Sequence, residues 1–140
     1  GPRQNPSSPY SGVISRFIDA LMTGTRPVIY GDGEQSRDFT FIDNVVDANL
    51  RAASSASAPG LVMNAANGER VSLNSLLSTL KKITGKEIEA EYLDPRTGDV
   101  KHSQADNSLA VQTLGYENLV GLEEGLRKTL AWWQDSRFAR

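Results

Sequence analysis

Cysteine is absent from this chain, histidine occurs once and no apolar stretch runs more than a few residues before a polar one interrupts it. Without thiols there are no disulfides, thiolate metal sites or thiol nucleophiles, and with no signal-like start the expected setting is a reducing cytoplasm. One histidine argues against a histidine-based metal centre. The broken apolar stretches exclude a spanning helix. There is also no excess of positive charge: 15 lysines and arginines stand against 17 carboxylates, for a net charge of −2. The basic residues are scattered, which argues against nucleic-acid binding. What is present is the composition of a soluble globular protein, 39% hydrophobic and 23% charged, and 140 residues correspond to one domain by size.

Three prolines and two serines in residues 1–9 predict an irregular lead-in. Val13, Ile14, Phe17, Ile18 and Leu21 then recur at helical spacing from Tyr10 to Met22, and Gly24 closes that helix. Pro27 to Tyr30 and Phe39 to Ile42 read as short strands, and Asp43 as the N-cap of a helix through Val45, Val46, Leu50 and Ala53. The 54–60 stretch reads as a loop and Leu61 to Asn64 as a strand. Ser72 and Gly85 bracket the clearest helix, with Leu73, Leu76, Leu77, Leu80 and Ile83 on one stripe. Ile88, Ala90 and Tyr92 alternate with Glu87, Glu89 and Glu91, the period of a half-exposed strand whose carboxylates face solvent. Asp106 caps a short helix ending at Gly115, and Leu122, Leu126, Leu130 and Trp133 mark a final one. Trp132, Trp133 and Tyr116 read as core or interface anchors. Helices and strands alternate, so the fold class is α/β.

The segment from Arg26 to Asp47 carries the most chemistry. A β-branched strand meets a glycine turn, Gly31-Asp32-Gly33, and Arg37 then opens a second apolar run. Glycines let backbone approach a ligand, and a guanidinium offers a planar donor fork that matches phosphoryl oxygens two at a time. The pattern suits a diphosphate. It equally suits an ordinary surface hairpin in which Arg37 pairs with Asp32, Glu34 or Asp38.

This segment resembles the phosphate-binding stretch of the NAD-dependent epimerase/dehydratase family, the extended short-chain dehydrogenase/reductases that act on nucleotide sugars. Gly1-Pro2-Arg3-Gln4, Ser8-Pro9-Tyr10, Asn64-Ala65-Ala66, Ser72-Leu73, Arg96-Thr97-Gly98-Asp99-Val100 and Gly115-Tyr116 fall in the same family order. Two family hallmarks are missing from the sequence. It has no Gly-x-x-Gly-x-x-Gly after a strand, and none of Tyr10, Tyr30, Tyr92 or Tyr116 is followed four residues later by lysine. The resemblance therefore implies that residues 1–140 are a nucleotide-sugar-binding C-terminal domain. Its N-terminal Rossmann domain, which would bind NAD and carry the catalytic Tyr-x-x-x-Lys, is expected before residue 1. This chain is then expected to hold no catalytic residue, no NAD and no metal, and to be inactive alone. The parent is expected to be a homodimeric, NAD-dependent enzyme that moves a hydride at C4 of a UDP-sugar. UDP-glucose and UDP-N-acetylglucosamine 4-epimerases are the nearest subgroup. A nucleotide-sugar 4,6-dehydratase, another family member, or a free-standing nucleotide-sugar-binding module stay open as alternatives.

By the same resemblance Arg37 and Arg96 grip the diphosphate and Asp99 accepts hydrogen bonds from the ribose hydroxyls, with a turn aspartate bonding its own loop amides as the alternative. Pro27, Val28 and Tyr30 flank the base, with Val28 equally acceptable as core. Asn64 helps hold the nucleotide or simply ends a strand. Asn5 to Tyr10 lies along the cleft, with Ser7 and Ser8 as contacts. Ser103, seven residues after Arg96, faces the sugar, where a small residue leaves room for an acetamido group. His102 reads as a loop residue with no nucleophile or carboxylate relay. The Val45, Val46 and Leu50 helix is expected to expose its apolar side if its usual partner is absent.

Overall fold

The computed structural model describes residues 1–4 and 12–138. Helix α1 (Val13–Thr23) turns its Phe17, Ile18 and Leu21 inward and ends where Gly24 adopts a left-handed backbone, φ 77°. The predicted start at Tyr10 lies outside the described residues. Strand β1 (Val28–Tyr30) pairs in parallel with β4 (Glu91–Leu93), Val28 opposite Glu91. Parallel neighbours need a long crossover, and here it contains the antiparallel β2 (Ser36–Arg37) and β3 (Val71–Ser72) with helices α2 (Ile42–Ser54) and α3 (Leu73–Thr84). Helices α4 (Ser108–Leu114) and α5 (Leu122–Phe138) follow. The class is α/β, as the alternation predicts.

One core is formed by α1, α3 and α5 over β1. Phe17, Ile18, Leu21, Ile29, Leu76, Leu77, Leu80, Leu126, Leu130 and Trp133 are buried together. The α3 stripe read from the sequence is this core. Its N-cap is also as read: the Ser72 hydroxyl accepts the Ser75 amide at 3.2 Å. A smaller cluster, Ala48, Ala110 and Tyr116, joins α2 to α4. Asn44 braces it, donating to the Val120 carbonyl at 2.9 Å and accepting the Val120 amide at 3.0 Å.

Four local expectations need correction. Residues 39–42 are not a strand. The two-residue β2 precedes them, Phe41 is the N-cap of α2, and its ring occupies space that a side chain at Gly125 would fill. Asp43 therefore lies in the first turn, where its charge suits the helix dipole, and it does not cap. Residues 61–64 form no strand; Val62 is 92% exposed and no described strand lies beside it. The strand read around Ile88 to Tyr92 is confined to β4; its carboxylates face solvent as read, and Lys81 bridges Glu89 at 2.7 Å and Glu87 at 3.4 Å. That contact holds the Glu89 carboxyl below its usual range and the Lys81 amine above its own.

Of the apolar residues expected to be exposed on α2, Val46 and Leu50 are exposed and Val45 is half-buried; Ile42 extends the exposed face, so that Ile42, Val46 and Leu50 lie four apart on one side.

Candidate functional site

The turn after β1 is positioned by the start of α3. The Asn74 amide donates to the Gly33 carbonyl at 3.1 Å, and its side-chain nitrogen donates to Asp32 and Glu34. Gly33 has φ 76°, and a Cβ there would fall 2.1 Å from Asn74 Oδ1, so only glycine allows this approach. Buried Gln35 then donates to the Tyr30 carbonyl, which closes the turn and sets the direction in which Arg37 leaves β2.

Arg37 meets the loop that follows β4. Its Nη1 donates to the carbonyls of Ser36 at 2.8 Å and Lys101 at 3.3 Å, and its Nη2 donates to Asp99 Oδ1 at 2.5 Å. Among the described residues its Nε–H and one Nη2–H stay unengaged. The pair is not buried: Arg37 is 29% exposed and Asp99 41%. An ion pair in contact with water is worth about 0–1 kcal/mol, so a more highly charged anion can displace it. Arg96, held by a turn in which the Asp99 amide donates to its carbonyl, stacks its guanidinium 3.8 Å above the Tyr30 ring.

Arg37, Arg96, Asp99, Val28 and Tyr30 thus line one cavity of about 410 Å³, over an apolar floor that includes Phe17, Phe39 and Leu73. An adjoining cavity of about 280 Å³ shares Tyr30, Gln35, Arg96 and Asp99 and adds Asp32 and Lys101, so the two form one trough. Val28 is outward-facing here and not core. Pro27 is buried, with its carbonyl accepting the Glu91 amide, and does not reach the trough. Asn64 donates to the Asp106 carbonyl, and Ser103 is bonded through its amide to the Ser36 carbonyl; neither lines the trough. Ser7, Ser8 and the rest of the 5–10 segment lie outside the described residues.

Sequence reading missed two features. Arg16, on α1, lines the same cavity; the signal in the sequence is a lone charge among Val13, Ile14, Phe17 and Ile18. His102 is not an unattached loop residue: its Nδ1 lies 2.9 Å from the Ser36 hydroxyl, a contact that ties the loop to β2. Among the described residues no cluster of metal-ligating side chains forms, and no helix is long and apolar enough to cross a membrane.

The NAD dependent epimerase/dehydratase family model matches residues 1–66. UDP-glucose 4-epimerase of Mycolicibacterium smegmatis is 37% identical over 96% of this chain and 42% of its own length. The structure of UDP-glucose 4-epimerase with UDP-glucose from Thermotoga maritima superposes with a TM-score of 0.91 at 39% identity, over 98% of this chain and 43% of that one. UDP-N-acetylglucosamine 4-epimerase from Methanobrevibacter ruminantium, in complex with UDP-N-acetylmuramic acid, gives 0.90 at 40% identity, over 97% and 43%. The chain spans about two fifths of the length of these relatives.

Proposed function

The chain belongs to the NAD dependent epimerase/dehydratase family, and from that premise we propose that it is the C-terminal, substrate-binding part of a UDP-sugar 4-epimerase. Its task is to grip the UDP end of the substrate. The observation that carries this reading is the convergence of Arg37 and Arg96, far apart in sequence, with Asp99 on one trough beside Tyr30. Two guanidinium groups hold the diphosphate, with Arg37 exchanging its bond to Asp99 for phosphoryl oxygens. The released carboxylate accepts hydrogen bonds from the vicinal ribose hydroxyls. Tyr30 and Val28 offer a flat, apolar seat for the base. Binding energy taken up at this non-reacting end fixes the sugar for chemistry performed elsewhere.

The residues of this chain do not fit NAD. No described helix rises from a glycine-rich turn at a strand end, and the sequence holds no Tyr-x-x-x-Lys pair. No hydride step is assigned to it, and it is expected to be inactive alone; NAD-dependent epimerisation by residues 1–140 would contradict this. The grip is tested by calorimetric titration of the chain with UDP. Arg37→Ala should weaken UDP binding by tenfold or more, since a charge-assisted hydrogen bond is worth about 1.5–3 kcal/mol. Unchanged affinity would remove the central claim.

Ser103 extends the proposal to the sugar. It lies outside the trough, one step along the loop from His102, and a sugar leaving the diphosphate in that direction would meet its small side chain. UDP-N-acetylhexosamines are then accepted together with UDP-hexoses. Ser103→Tyr in the full-length enzyme should cut turnover of the acetylated sugar first, and an equal loss for both sugars would refute the assignment.

A further inference from the structure

The first turn of α1, like those of α3 and α4, holds no acidic residue, whereas Asp43 opens α2 and Glu123 and Glu124 open α5. Gly12 at its N-cap supplies no side-chain oxygen to the free amides, and the Ser15 hydroxyl is turned to the Gly12 carbonyl at 3.0 Å. At this positive end stands a further cation, Arg16. A positive charge near a helix N-terminus is unfavourable, a cost that a bound anion would cancel.

The charges of the trough balance in a specific way. Its walls carry Arg16, Arg37, Arg96 and Lys101 against Asp32 and Asp99. Two pairs are already made, Arg37 with Asp99 and Lys101 with Asp32 at 3.4 Å. Arg96 and Arg16 are left over. No described residue hydrogen-bonds or ion-pairs with the guanidinium of either, and residues 5–11 contain no carboxylate that could. The surplus of two cations equals the charge of a diphosphate diester, one on each phosphoryl group. Gly12, Val13 and Arg16 of α1 and Arg37 and Arg96 line the same cavity.

We infer that Arg16 is a third phosphate-binding residue, which with Arg37 and Arg96 encloses the diphosphate of the nucleotide ligand from the α1 side. This assignment rests on the nucleotide-binding reading above. It adds to that reading that α1 is a wall of the ligand site as well as a core helix.

The test is titration of the chain with UDP, UMP and uridine, for the wild type, Arg16→Gln and Arg16→Lys. Arg16 is exposed and lies outside the buried core, so both variants should fold. The assignment expects Arg16→Gln to weaken UDP by about tenfold, leave uridine unchanged and make UDP binding less sensitive to salt, and Arg16→Lys to recover most of the loss. Unchanged UDP affinity in Arg16→Gln, or an equal loss for UDP and uridine, overturns the role of Arg16 while leaving the trough as the nucleotide site. Failure of the wild-type chain to bind UDP at all overturns the nucleotide reading itself, and this assignment with it.

Discussion

The layer made by α1, α3 and α5 closes on itself, whereas the layer made by α2 and α4 does not. In the first, each helix turns a stripe of large side chains toward the other two and β1, and the buried set is continuous from Phe17 to Trp133. In the second, three buried residues and the Asn44 brace hold α2, while Ile42, Val46 and Leu50 run along its opposite side in solvent. The same amphipathic spacing thus has two outcomes. Apolar residues four apart specify a buried face only where a partner surface is available, and α2 has such a face on each of two sides.

The sharpest way to break this contrast is a matched pair of leucine truncations. Leu76→Ala, at a position with no exposure, should cost about 2–5 kcal/mol in urea unfolding, through lost transfer energy and the cavity left behind. Leu50→Ala, at 65% exposure, should change the stability of this chain by no more than about 0.5 kcal/mol. A Leu50→Ala cost approaching that of Leu76→Ala would mean that the α2 stripe is covered in solution. The contrast sharpens in the full-length enzyme. If the proposed dinucleotide-binding part covers that face there, Leu50→Ala should acquire a cost that the shorter chain lacks.

The difference between the layers also marks what could be read from the sequence. Helix α3 was legible because its stripe, its Ser72 cap and its Gly85 stop agree with one another and with the packing. Residues 39–42 and 61–64 were misread because a short apolar run has no period of its own. Phe41 is buried by docking over Gly125, which no local pattern encodes, and Val62 has no partner strand in the described residues. The trough followed the same logic. Arg37 ends β2 just after a glycine turn, where its donor fork suits a phosphate by residue type, and Arg96 and Asp99 stand in a glycine-turn loop, where the family resemblance supplied their role. Arg16 sits on a helix, where a lone arginine reads as a solvated charge until the fold brings the β1 and β4 loops opposite it. Pro27 was drawn to the site by the family resemblance; the strand turns Val28 outward and leaves Pro27 in the interior.

Tyr116 gives the smallest test, and it is confined to the open layer. The side chain is 1% exposed between α2 and α4, and its hydroxyl lies 3.2 Å from Asn118 Oδ1. Burial, reinforced by the nearby carboxylates of Asp38 and Asp47, pushes the phenol above its usual value of about 10. An acid whose folded value exceeds its unfolded one contributes stability that is complete below the unfolded value, here below about pH 10. That contribution is lost as pH rises through the folded value, because the unfolded chain ionises first. At pH 8 Tyr116→Phe should therefore cost only the hydrogen bond to Asn118, about 0.5–1.5 kcal/mol. Above pH 10 the wild type should lose stability that the phenylalanine variant keeps, so the gap between their urea midpoints should narrow or reverse. Lysines such as Lys81 titrate in both proteins and cancel in the difference. A gap that stays constant from pH 8 to pH 11 would mean that the hydroxyl reaches water, and that the α2–α4 layer is open on its inner side as well as its outer one.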